Sequence, residues 1–135
     1  MSTFLLEIVT PEHKVYAEQA NMIVVKGVEG ELGILPNHIP LVTPLKIGPI
    51  TVKKQGSKDE IIAVNGGFME VRKDKVVILA ESAELPEQID IDRAKAAKER
   101  AEKRLADMKQ SNVDFKRAEA SLQRALNRIT VAGRK

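Results

Sequence analysis

Leu85-Pro86-Glu87-Gln88-Ile89-Asp90-Ile91-Asp92-Arg93-Ala94 divides the chain into two parts of different character. The residues before it read as β-strands and those after it as two helices. Pro86 has no N–H to donate and restricts Leu85 before it, so regular structure is interrupted there. Asp90 suits the start of a helix, where its carboxylate accepts a bond from an N–H of the first turn. Arg93 then sits one turn inside, with Arg100 two turns further along the same side. A turn, a carboxylate, a helix N-terminus and spaced arginines fit a plain domain junction or an anion site.

Working back from this stretch, Phe4–Val9, Asn21–Lys26, Ile50–Lys54, Glu60–Asn65, Phe68–Arg72 and Val76–Ala80 are short runs rich in strand formers. Turn signals separate them: Thr10-Pro11-Glu12, Gly48-Pro49, Gln55-Gly56-Ser57, Gly66-Gly67 and Lys73-Asp74. Many short strands at this spacing predict a sandwich or flattened barrel, mostly antiparallel. Val76-Val77-Ile78-Leu79 is apolar on both faces, so its outer face is to be covered by the second half of the chain or by another protein. Between strands lies the segment from Gly30 to Leu45, with three prolines and two glycines, which reads as an ordered, shaped loop. His38 lies in it. The only other histidine is His13, and no ligand set joins the two, so a metal or catalytic centre is not indicated.

Working forward, Ala94, Ala97, Ala101, Leu105 and Met108 recur at helical spacing, as do Phe115, Ala118, Leu122, Ala125 and Ile129. Gln110-Ser111-Asn112 breaks the pattern, which predicts an antiparallel helical hairpin. Its stripes are narrow and rich in alanine, so the seam buries little area and the hairpin is expected to be marginal. The composition switch at Pro86 predicts a β unit over residues 1–85 and a helical unit over 86–135, each with its own core. The fold class is α+β.

Composition excludes several functions. With 135 residues the chain is one domain or two small ones. No cysteine means no disulfide, thiolate nucleophile or cysteine zinc site. Only 3% aromatic residues and no Trp argue against base-stacking nucleic-acid modules. No signal peptide or membrane-spanning run is evident, and a cytoplasmic location is the default. Charge is uneven: residues 1–89 hold 9 Lys/Arg and 12 Asp/Glu, whereas residues 90–135 hold 13 and 7, a net of −3 against +6. That asymmetry suits an anionic partner or a solvated helix surface. Arg93, Arg100 and Arg104 flank the first helical stripe, and Arg124 and Arg128 lie beside the second. Folding the hairpin brings both sets towards one groove near Asp90, and guanidinium forks suit phosphate oxygens. There is no Gly-rich phosphate loop and no Walker lysine.

Taken whole, the chain resembles the epsilon-subunit family of bacterial F-type ATP synthases. Gly30-Glu31-Leu32-Gly33-Ile34-Leu35-Pro36-Asn37-His38-Ile39-Pro40-Leu41 is similar to one family signature, and Asn65-Gly66-Gly67-Phe68-Met69-Glu70-Val71 to a second. Ile89-Asp90-x-x-Arg93-Ala94 resembles the ATP-recognition motif of the Bacillus-type members, and residues 114–119 and 124–128 resemble their last helix. The resemblance implies a β-sandwich of about ten strands and a C-terminal helical hairpin. It implies a non-catalytic rotor subunit in the central stalk, peripheral to the cytoplasmic face of the plasma membrane in the F1 sector. The implied partners are the gamma subunit and the c-ring, with Glu31 and His38 at the docking end, and the alpha and beta catalytic subunits when the hairpin extends. In the contracted state it implies a regulatory ATP, with or without Mg2+. Glu84, Ile89, Asp90 and Ala94 would lie near the adenosine part, and Arg93, Arg100, Arg124 and Arg128 towards the phosphates.

Three other readings compete. One keeps the hairpin for inhibition or assembly with a vestigial ATP site. A small ATP-using enzyme lacks a base, a metal-carboxylate cluster and a nucleophile beside the arginines. A nucleic-acid-binding hairpin is opposed by the missing aromatics and by interleaved Asp92, Glu99, Glu102 and Asp107.

Overall fold

A computed structural model describes residues 2–107 and 112–133. The strands are β1 (Phe4–Val9), β2 (Lys14–Ala20), β3 (Met22–Gly27), β4 (Gly30–Ile34), β5 (Leu41–Lys53), β6 (Glu60–Val71), β7 (Lys75–Ala80) and β8 (Ala83–Glu84). They hydrogen-bond in the order β2-β1-β7-β6-β5-β3-β4, with β8 added to β6. All pairs are antiparallel except β1 with β7.

The sheet becomes a sandwich because β5 and β6 change face halfway along. In β6, Met69 and Val71 point into the main core, and so do Ile62 and Val64. Along the strand even positions give way to odd ones, which a straight strand of period two forbids. The slip occurs at Gly66 and Gly67, whose φ angles are 82° and 138°. A Cβ at Gly67 would lie 2.1 Å from the carbonyl oxygen of Leu79, so only glycine fits this corner. β5 switches opposite it, from Leu45 to Ile50 and Val52. Gly66-Gly67 and Gly48-Pro49 are therefore corners inside continuous strands, not the turns the sequence predicts. Each long strand serves both layers, which accounts for eight strands where ten were expected. β2 and β4 were not anticipated. In β2 only Tyr16 and Ala20 are buried among polar neighbours, and β4 sits at an edge, inside the segment that reads as a loop.

Main-core side chains include Phe4, Leu6, Ile8, Ile23, Ile50, Met69 and Ile78. The chain then turns through a 3-10 segment, Pro86–Gln88, where the Leu85 N–H donates to Gln88 Oε1 at 2.9 Å. α1 (Ile91–Asp107) and α2 (Asn112–Ala132) follow. Asp90 caps α1 as expected, its Oδ1 accepting from the Arg93 N–H at 3.1 Å. Ala94 and Ala101 of α1 and Ala118 and Ala125 of α2 are buried, two turns apart on each helix, and the two helices pack on each other. Phe115 departs from the predicted stripe: it is 45% exposed. Met108, Gln110 and Ser111 lie outside the described residues.

The two parts do not have wholly separate cores. The N-terminal half of β6 faces the main core with Ile62 and Val64, so Ile61 and Ala63 point the other way. α2 lies on β5 and β6 and covers them, forming a small second core with Ile89, Val131 and Ala132.

Candidate functional site

Two clefts run along the hairpin and share one side chain. The first, of about 260 Å³, is lined by Glu84, Gln88, Asp90, Arg93, Ala94 and Arg128. The second, of about 240 Å³, is lined by Ala97, Arg100, Ala101, Arg104, Ser121, Arg124 and Arg128. Along them α1 residues rise from Ala94 to Arg104 as α2 residues fall from Arg128 to Ser121, so the helices are antiparallel. Alanines at the seam bring the two backbones close and let long guanidinium side chains line the groove. Five arginines face two carboxylates, Glu84 and Asp90. Such a groove favours a polyanion.

Seven of the eight residues expected at this site line one cleft or the other. Ile89 does not: it is buried in the small second core behind the junction. Glu84 and Arg128 were expected at opposite ends of a ligand, but they meet, Arg128 Nε donating to Glu84 Oε1 at 2.5 Å. The two Nη groups of Arg128 have no partner among the described residues. Arg124 Nη2 donates to Ser121 Oγ at 3.0 Å. The side chains of Arg93 and Arg100 make no hydrogen bond or ion pair among the described residues. Gln88 and Ser121 were not foreseen. A polar residue in a turn or on a helix flank carries no pattern that marks it as lining.

Glu31 and His38 are not brought together. Glu31, on β4, lines an open groove of about 550 Å³ with Val28, Leu32, Leu41 and Pro44. His38 stands apart in the loop after β4, its Nδ1 donating to the Ile39 carbonyl at 2.7 Å. Beside it Ile39 is 75% exposed, and Leu35 and Val42 are also largely exposed. A second apolar surface crosses the outer face of the sandwich. Val9, Leu79, Phe68 and Pro44 are register partners from β1 to β7 to β6 to β5. Leu79 and Phe68 are each 55% exposed. Among the described residues nothing covers the outer face of this two-sided apolar strand, since α2 covers a different part of the sheet.

Family models match both parts of the chain. The beta-sandwich domain of the ATP synthase delta/epsilon chain matches residues 3–86, and its long alpha-helix domain matches residues 87–133. The chain is 61% identical to an ATP synthase epsilon chain of Halalkalibacterium halodurans and 60% identical to one of Alkalihalophilus pseudofirmus, in each case over 99% of this chain and 100% of the relative. In fold it is similar to a chain of the Euglena gracilis mitochondrial ATP synthase, with a TM-score of 0.81 at 23% identity, covering 100% of this chain and 83% of that one.

Proposed function

This chain belongs to the ATP synthase delta/epsilon chain family, and we propose that it is a non-catalytic central-stalk subunit whose hairpin is a nucleotide-controlled brake. Identity of 61% along the whole chain to an ATP synthase epsilon chain is the observation that carries the stalk role. The outer row of Val9, Leu79, Phe68 and Pro44 is the surface offered to the gamma subunit. An exposed apolar row crossing four strands suits a protein partner. The end bearing Glu31, His38, Leu35 and Ile39 is the surface offered to the c-ring. Among the described residues no helix is long and apolar enough to cross a membrane. The subunit is held at the cytoplasmic face of the membrane, in the F1 sector, by these contacts.

The paired clefts take ATP, with or without Mg2+. Five guanidinium groups suit a triphosphate, and Arg128, which lines both clefts, lets one elongated ligand span them. Glu84 competes for Arg128 until phosphate oxygens arrive. Nothing lining the clefts is placed as a general base or nucleophile, so bound ATP stays intact and acts through conformation. Released helices would reach the alpha and beta subunits and block hydrolysis. Calorimetric titration of the purified full chain tests the nucleotide part: one ATP per chain and no phosphate release are expected. An absence of binding at millimolar ATP removes the nucleotide control and leaves the hairpin as an assembly or inhibitory element.

A further inference from the structure

Among the described residues, Asn127 is the only buried polar side chain of the hairpin, 6% exposed. Its Nδ2 donates to the Val64 carbonyl at 3.2 Å and to Asn65 Oδ1 at 3.4 Å. These two acceptors fix which end of the amide is the nitrogen. Asn65, 2% exposed, passes the chain on, its Nδ2 donating to Ser82 Oγ at 2.8 Å and its backbone N–H to the Ser82 carbonyl at 2.9 Å. Asn127 Oδ1 has no partner among the described residues. An all-apolar contact, with both asparagines replaced, would dock α2 without an orphaned oxygen, whereas leucine at 127 alone would strand Asn65 Oδ1, so docking strength alone does not account for the asparagine pair.

Position does account for it. The apolar part of the docked surface is non-directional: Ile61, Ala63, Ile89, Val131 and Ala132 pack as well after a small slide. A buried amide is directional, and any slip of α2 would strand Asn127 Nδ2 and Asn65 Oδ1. The next residue, Arg128, bonds Glu84 on β8, two residues beyond Ser82. Two adjacent side chains of α2 therefore grip adjoining strands, Asn127 on β6 and Arg128 on β8. We infer that Asn127, with Asn65 and Ser82, is a positioning device that sets the register of α2 on the sandwich and so holds Arg124 and Arg128 at the clefts. This rests on the reading of the clefts as a nucleotide site for its consequence, but not for the register itself.

Four full-length variants test it: Asn127→Leu, Asn65→Ala, Asn127→Ala, and Asn65→Ala combined with Asn127→Ala. Hydrogen exchange of α2 amides without nucleotide reads docking, thermal melting reads the sandwich, and calorimetry reads ATP. Asn127→Leu is expected to speed α2 exchange about tenfold, the loss of one buried hydrogen-bonded contact, while sandwich melting holds. ATP binding weakens in the same variant. In the double variant the effects of the two alanines do not add, because both break one contact. Unchanged α2 exchange in Asn127→Leu, additive effects in the double variant, or an equal loss in sandwich melting would each overturn the assignment. If the parent chain binds no ATP, the nucleotide reading fails while the exchange data still decide the register.

Discussion

At the residue scale, Asp90 and Arg93 separate two roles that sequence alone joins. Asp90 Oδ1 caps α1 through the backbone N–H of Arg93, so the Arg93 side chain is not needed for the cap. Arg93→Ala is therefore expected to leave helix stability within about 0.5 kcal/mol, as for surface substitutions. It should weaken ATP binding about tenfold or more, since a charged hydrogen bond is worth roughly 1.5–3 kcal/mol. Asp90→Ala should do the reverse first, costing ~1 kcal/mol of helix stability through the lost cap. Calorimetry and thermal melting of both variants at fixed salt check the split; equal ATP affinity in Arg93→Ala and the parent reduces the motif to a cap. Glu7 offers a test at low pH. Ion pairs to Lys14 at 2.5 Å and Lys75 at 2.6 Å hold its carboxyl down to about 2. The hydrogen bond from Lys14 contributes most, then that from Lys75, against an opposing push from burial. A depressed folded-state pKa gives stability that is complete above the unfolded value, ~4.3, and is lost as pH falls towards 2. Glu7→Gln should flatten the fall in melting temperature between about pH 4.5 and 2. Glu60 leaves a residual slope: burial raises it, but Lys54 and Tyr16 pull it lower on balance. An unchanged slope in Glu7→Gln would show that other carboxylates govern acid stability.

At the scale of elements, the chain shortened after Ile89 should still fold as a sandwich, because every buried member of the main core lies between Phe4 and Ala80. It should not be indifferent to the loss. Ile61 and Ala63 face α2, and an isoleucine uncovered costs roughly 1.5–3 kcal/mol. The expected outcome is a soluble product with a cooperative but lowered melt, followed by far-ultraviolet circular dichroism. A molten or insoluble product would mean that α2 belongs to the sandwich core itself. This shared core is what the sequence conceals. Ile61, Ile62, Ala63 and Val64 make an unbroken apolar run, which says that both faces are covered but not by what. Strands with a clear apolar run, such as β1 and β7, were legible almost to the residue. β2 was not, since its tertiary burial concerns two side chains in seven. Corners at Gly48 and Gly66 read as ends because glycine marks a turn or a bulge equally well. That the arginines meet along one groove was legible because helical periodicity alone places them on facing flanks. The Glu84–Arg128 pair was not, because β8 and its partner strand join distant parts of the chain.

For the whole molecule, the clefts exist only while the hairpin is closed. Their walls come from the junction, from α1 and from α2. A ligand shifts a conformational equilibrium only by its preference between the states. Opening separates Arg93 and Arg100 from Arg124 and Arg128, so that preference is nearly complete. ATP at about 100 times its dissociation constant then favours the closed form by ~2.7 kcal/mol. An alanine seam, a five-residue second core and the Asn127 contact hold the same closed form, each modestly. On the proposed reading, ATP adds to these terms against docking of the open helices on the stalk, and is expected to reverse a marginal balance and relieve inhibition in the parent complex. The chain has no cysteine, so single cysteines placed at exposed Lys58 and Glu119 carry a specific pair of distance labels between sandwich and α2. In the assembled complex, ATP should shift the population towards the short distance and raise hydrolysis together. Carrying Arg93→Ala on the same labelled chain should move both responses to higher ATP by the factor seen in calorimetry. If that variant loses ATP binding yet keeps the parent's distance distribution and the parent's inhibition at every ATP concentration, the hairpin is set by its docking on the stalk and ATP is not its switch.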